Sequence, residues 1–108
     1  MLLAAGKIQA IADTDSTVGY SEITLYEASS NVRVNYMQFV SEHSADVLLN
    51  LFIIFETAQV RIIPKDTVVT PTQIRQFDVT YDMKDIERII ATVNVNEVIS
   101  YVITGEPL

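Results

Sequence analysis

The run VLLNLFIIFE, Val47 to Glu56, constrains this chain more than any other segment. It is too short to cross a membrane as a helix, which takes about 20 apolar residues. Its β-branched and aromatic side chains suit a central strand buried on both faces. A buried helix is the competing reading, because Leu-Leu-Asn-Leu-Phe has fair helix propensity. Asn50 interrupts the run and Glu56 ends it.

The segments around it favour pleated structure. Val, Ile and Thr are abundant throughout, and stiff β-branched side chains pack well on a sheet. Lys7–Asp13 (KIQAIAD) is a candidate strand, followed by the polar turn DTDSTVG. In Ser21–Ala28, Ile23 and Leu25 alternate with Glu22 and Thr24, the pattern of a half-buried strand. Val32–Val40 alternates again, with an apolar phase shift at Tyr36-Met37 that predicts a bulge or a second buried face. Gln59–Ile63 forms a strand that Pro64 stops, and Lys65–Thr72 reads as turn.

Phe77, Val79 and Tyr81 give the cleanest period-2 signal in the chain. Two readings compete over Met83–Val93. A helix would place Ile86, Ile89, Ile90 and Val93 on one face; a turn at Met83–Asp85 followed by a strand is favoured. Asn94 and Asn96 mark a hairpin, and Glu97–Thr104 is the last strand, closed by Gly105. Seven to eight short strands separated by turn signals predict an all-β, antiparallel sandwich or jelly-roll-like domain. At 108 residues it is a single domain spanning 1–108, with 1–12 as an extended arm or edge strand.

Composition excludes several function classes. The formal charge is −7, from 14 acidic and 7 basic residues, and the basic ones form no run. Phosphate-backbone binding needs clustered Lys and Arg, so no nucleic-acid partner is expected. Cysteine is absent, which removes disulfides, thiolate metal sites and cysteine nucleophiles. No stretch reaches the roughly 18 uninterrupted apolar residues of a membrane span, so no membrane partner is expected. MLLAAGKIQAIAD lacks a basic leader and is short for a signal peptide. Hydrophobic residues make up 49% of the chain and charged ones 19%, an apolar excess for so small a domain. Part of that surface is expected to meet another subunit.

No chemistry-bearing group stands out from its bland reading. His43 lies in SEHSAD beside Glu42 and Asp46, but one imidazole on a loop makes neither a triad nor a metal site. Asp13, Asp15 and Ser16 have the opening spacing of a calcium loop without its glycine bend or late glutamate. Asp78, Asp82 and Asp85 could pair as carboxylates, yet that spacing also describes the solvent side of a half-buried strand. Three isolated glycines (Gly6, Gly19, Gly105) make no phosphate loop. Tyr20, Tyr26, Tyr36, Tyr81 and Tyr101 suit either a sugar-stacking platform or an interface. The expectation is no enzyme, with no catalytic residue, cofactor or metal.

The ending, MKDIERIIATVNVNEVISYVITGEPL, resembles that of small β-sandwich virion proteins of tailed bacteriophages. The matching residues are Ile89, Ala91 and Val93, then Val98, Tyr101, Ile103, Gly105 and Glu106. The upstream QVRIIPKDTVV resembles the strand and turn that precede this ending. Lys84-Asp85 stands where the family has a glycine-aspartate turn. The resemblance implies a structural role in the virion, as a capsid decoration (cement) protein or a tail or neck component. It implies a homo-oligomer, a trimer by preference, contacting the major capsid protein or other virion subunits, and no catalytic residues. A carbohydrate-binding module is the alternative from another class.

Overall fold

The computed structural model describes residues 1–8, 22–56, 58–94 and 99–108. Ten strands occur among them: β1 (Leu2–Lys7), β2 (Ile23–Glu27), β3 (Val32–Ser41), β4 (Val47–Phe55), β5 (Ala58–Arg61), β6 (Thr67–Val69), β7 (Ile74–Phe77), β8 (Tyr81–Met83), β9 (Arg88–Val93) and β10 (Ile99–Pro107). They form two five-stranded antiparallel sheets. Sheet I runs β1-β10-β3-β7, with β8 also on β3; sheet II runs β2-β9-β4-β5, with β6 also on β4. The chain is an all-β sandwich.

Period-2 alternation builds the core. Val34, Met37, Phe39, Met83, Ile99 and Ile103 point inward from sheet I. Leu25, Val47, Leu49, Leu51, Ile53, Val69, Ile89, Ala91 and Val93 answer from sheet II. Each of the larger side chains is worth ~1.5–3 kcal/mol when fully buried. Phe39 meets Phe77 edge-on, with ring centroids 5.9 Å apart.

The central strand departs from its expected double burial. Along β4 the odd positions Val47 to Ile53 are fully buried, while Leu48, Asn50, Phe52 and Ile54 face outward and are only partly covered. Sheet II has a core on one side only, so apolar composition overstates the burial of its outer face. Met83–Val93 is not a helix: its partners across β2, β3 and β4 are strands, and they supply the backbone hydrogen bonds a helix would have made internally.

Other boundaries shift for similar reasons. The first strand is β1, the edge-strand reading of 1–12; most of Lys7–Asp13 lies outside the described residues. The turn-rich 65–72 contains β6, which β4 captures through Val47–Val69 and Leu49–Thr67. The Phe77-Val79-Tyr81 alternation is split, with 78–80 outside any strand, because β7 and β8 pair with separate parts of β3. The last strand continues through Gly105 to Pro107 rather than closing there.

The bulge falls at Asn35. Thr104 pairs with Tyr36 and Gly105 with Val34, which leaves Asn35 over. Gly105 sits at that irregularity under severe crowding. A Cβ on it would lie 2.1 Å from the Arg33 carbonyl oxygen and 2.8 Å from the Leu3 side chain. Only glycine fits.

Candidate functional site

Among the described residues, two open grooves stand out. The larger, about 500 Å³, is lined by Phe55, Glu56, Asp82, Lys84, Asp85, Ile86 and Glu87. It forms where the end of β4 meets β8 and the turn leading into β9. In that turn the Glu87 N–H donates to the Lys84 carbonyl at 3.1 Å, and the Glu87 carboxylate accepts the Lys84 N–H. Ile86 holds φ at 69°. This is the third position of a turn of type II character, where glycine or asparagine is normal. A β-branched residue there is a backbone outlier. Its N–H donates to the Ala28 carbonyl at 2.8 Å, and the Ala28 N–H donates to the Glu87 carbonyl at 2.9 Å, so Ala28 holds the turn through two backbone hydrogen bonds. The Ile86 side chain itself is 71% exposed.

Two of the four carboxylates of this groove, Asp82 and Glu87, are committed to structure. Asp82 accepts two hydrogen bonds from Arg33, at 2.7 and 3.2 Å. The Arg33 guanidinium, through these bonds and its charge, holds the Asp82 carboxyl below the usual carboxylate range. Glu87 is buried against the turn backbone. Of the three aspartates considered as a cluster, Asp82 and Asp85 line the groove and Asp78 does not. Among the described residues, no three acidic, histidine or cysteine side chains converge as a metal site.

The second groove, about 380 Å³, lies on the outer face of sheet II and is lined by Glu22, Asn50, Phe52, Arg61, Lys65, Asp66 and Thr92. Asn50, the one polar residue inside the apolar run, organises it. Its amide donates to the Asp66 carboxylate at 3.0 Å, and its carbonyl accepts the Asp66 N–H at 2.9 Å and an Arg61 N–H. Arg61 also stacks its guanidinium 4.6 Å from the Phe52 ring centroid. The network fixes the turn before β6, where Asp66 takes a φ of 55°, a conformation aspartate tolerates. Asn50, Asp66 and Arg61 are matched to one another, which makes a structural clamp.

His43 lies on neither groove wall; it is partly buried in the β3–β4 connection, and its N–H donates to Ser41 Oγ at 3.1 Å. Asp13, Asp15, Ser16 and Tyr20 lie outside the described residues. Tyr26, Tyr36, Tyr81 and Tyr101 are each partly buried rather than gathered on an open platform. The Tyr101 hydroxyl donates to the Leu25 carbonyl at 3.0 Å, tying the two sheets together. Burial pushes the phenols of Tyr26, Tyr81 and Tyr101 above the usual tyrosine value. Sequence reasoning missed the strained turn tip at Ile86. The signal was an isoleucine following Lys84-Asp85 in a turn, at the position where a turn of this type takes glycine or asparagine.

Compared with family models, with curated proteins and with solved structures, the chain matches none.

Proposed function

We propose that this chain is a structural subunit of a virion, acting by contact surface rather than by chemistry, and that it serves as a capsid decoration protein of a tailed bacteriophage. The observation that carries the reading is the C-terminal segment resembling such proteins. It supplies one inner strand to each sheet, β9 in sheet II and β10 in sheet I. Support also comes from the partly uncovered apolar residues on both outer faces, among them Phe52 and Ile54 on sheet II and Val40 and Val102 on sheet I. Subunit contact would cover such surface.

The test uses purified particles of the phage that encodes the chain. Mass spectrometry is expected to find it in stoichiometric copy number, and the purified protein is expected to co-sediment with undecorated heads. Co-sedimentation with tails alone would move it to the tail or neck. Absence from particles together with no binding to heads or tails would overturn the reading. Selective binding on a glycan array would replace it with a carbohydrate-binding role.

A further inference from the structure

The margins of the two sheets are not equivalent. Open strand edges template pairing with other chains, and proteins blunt them with short strands, charges, proline and bulges. On one margin of sheet I, β7 and β8 are four and three residues long, and they carry Arg75 and Asp82. On one margin of sheet II, β5 and β6 are four and three residues long, with Arg61 on β5 and Pro64 between them. The opposite margin, β2, has a register shift between Thr24 and Tyr26, is preceded by Glu22 and ends on Glu27.

The remaining margin, β1, lacks these devices over most of its length. It is six residues long, and Leu2 to Gly6 carry neither charge nor proline. Its irregularity is confined to Leu2/Ala4, so Ala4–Lys7 runs in regular register on β10. Among the described residues, no strand pairs with its other side. The ladder also shows which groups are free. Ile8 N–H donates to the Ile99 carbonyl at 2.8 Å. Bonded and non-bonded positions alternate in an antiparallel pair. Gly6 and Ala4 therefore bond to β10, while Ala5 and Lys7 turn their N–H and C=O groups to the open side.

We propose that β1 pairs antiparallel with β1 of a second copy of this chain, on a two-fold axis at Ala5, joining two five-stranded sheets into one continuous sheet. Charge selects this edge for self-association. A chain of net charge −7 repels its own copies wherever acidic groups are presented. β1 contains no acid, and Glu42, the carboxylate beside it, is paired with Lys7 at 3.1 Å. With Ala5 opposite its symmetry mate, Lys7 faces Leu3 of the second copy. The two lysines then stand about four residues apart, roughly 13 Å, which exceeds the ~8 Å screening length at physiological salt. The small side chains of Ala4, Ala5 and Gly6 leave room for the approach. A three-fold ring, the assembly implied by the virion resemblance, would need a second receptive edge on each subunit, and the other margins are blunted. The dimer stands apart from the virion reading: a dimer that ignores phage particles, or a monomer that binds them, separates the two.

Light scattering across a concentration series tests it. The wild type is expected at twice the chain mass of 12.1 kDa. Ala5→Pro removes an outward N–H that β10 does not use, which an edge strand tolerates. Ala5→Lys places two like charges at the axis while leaving the backbone intact. Both are expected to weaken the dimer by at least about tenfold with unchanged circular dichroism, and Ile74→Lys, on the far margin of sheet I, is expected to leave it intact. Hydrogen exchange is expected to show the Ala5 and Lys7 amides protected in the wild type and unprotected in Ala5→Lys. A wild type that is monomeric throughout overturns the proposal. So does a trimer, or an oligomer that survives both Ala5 substitutions or is broken by Ile74→Lys.

Discussion

The two sheets obey one alternation rule and dress their outer faces differently. On sheet I, β3 shows solvent Arg33, Asn35, Gln38 and Val40, and the charges sit at the ends of the face in pairs: Lys7 with Glu42, and Arg33 with Asp82 and, at 4.0 Å, Glu106. On sheet II, β4 shows solvent Leu48, Phe52 and Ile54, relieved only by Asn50 and its clamp on Asp66. Ile90, opposite Phe52 on that outer face, is 2% exposed yet is not part of the central core. Both outer faces carry apolar residues, but only on sheet II is one of them, Ile90, buried, whereas Val40 and Val102 on sheet I stay partly exposed among the described residues. Burial follows which side of the strand a residue occupies, and hydrophobicity by itself does not assign that side.

The largest effect should come from separating the two sides of β4. Leu51→Ala opens a cavity in the core and is expected to cost about 2–5 kcal/mol in urea unfolding. Ile54→Thr on the outer side is expected to cost less than ~1.5 kcal/mol. Equal losses would mean that the outer layer is as closely packed as the core, and the comparison would fail.

Gly105→Ala probes sheet I where β10 presses against the Arg33 carbonyl. Overpacking of this kind is expected to cost about 1–3 kcal/mol, read as a lower melting temperature. Ile86→Gly acts in the opposite direction on the turn that enters sheet II. It relieves strain of order 1–3 kcal/mol and adds about 0.4–1 kcal/mol of unfolded-chain entropy. The net expected is a modest gain in stability, visible as a higher urea midpoint. A loss would show that the exposed isoleucine packs on something within the fold.

The smallest effect belongs to the Arg33–Asp82 pair. Its carboxyl is depressed in the folded state, so its contribution is present at neutral pH and lost as pH falls through that lowered value. Asp82→Asn is expected to narrow the difference between the urea midpoints at pH 7 and in acid. High salt should shrink the contribution in the wild type, as befits a solvent-exposed pair.

Much of the fold was legible from residue order. Alternation in Ser21–Ala28 and Val32–Val40 marked β2 and β3, and the expected strand Gln59–Ile63 corresponds to β5, which ends at Arg61, short of Pro64. The elements that escaped are those whose local pattern competes with a partner's demand. Thr67–Val69 looks like turn, and only pairing with β4 makes it a strand. Phe77 to Tyr81 looks like one strand and is divided because β3 offers two separate docking stretches. Of the larger groove only Asp82 and Asp85 were singled out beforehand, because sheet order is what brings Phe55 and Ile86 beside them.

Residue order alone determined an acidic all-β domain without cysteine chemistry, because period-2 patterning and composition are local properties that any compact state must respect. Tertiary structure decided which face of β4 is core, why residue 105 must be glycine, and which of the margins is left open. Those depend on what stands opposite each strand, and a strand's neighbours across the sheet lie far from it in the chain.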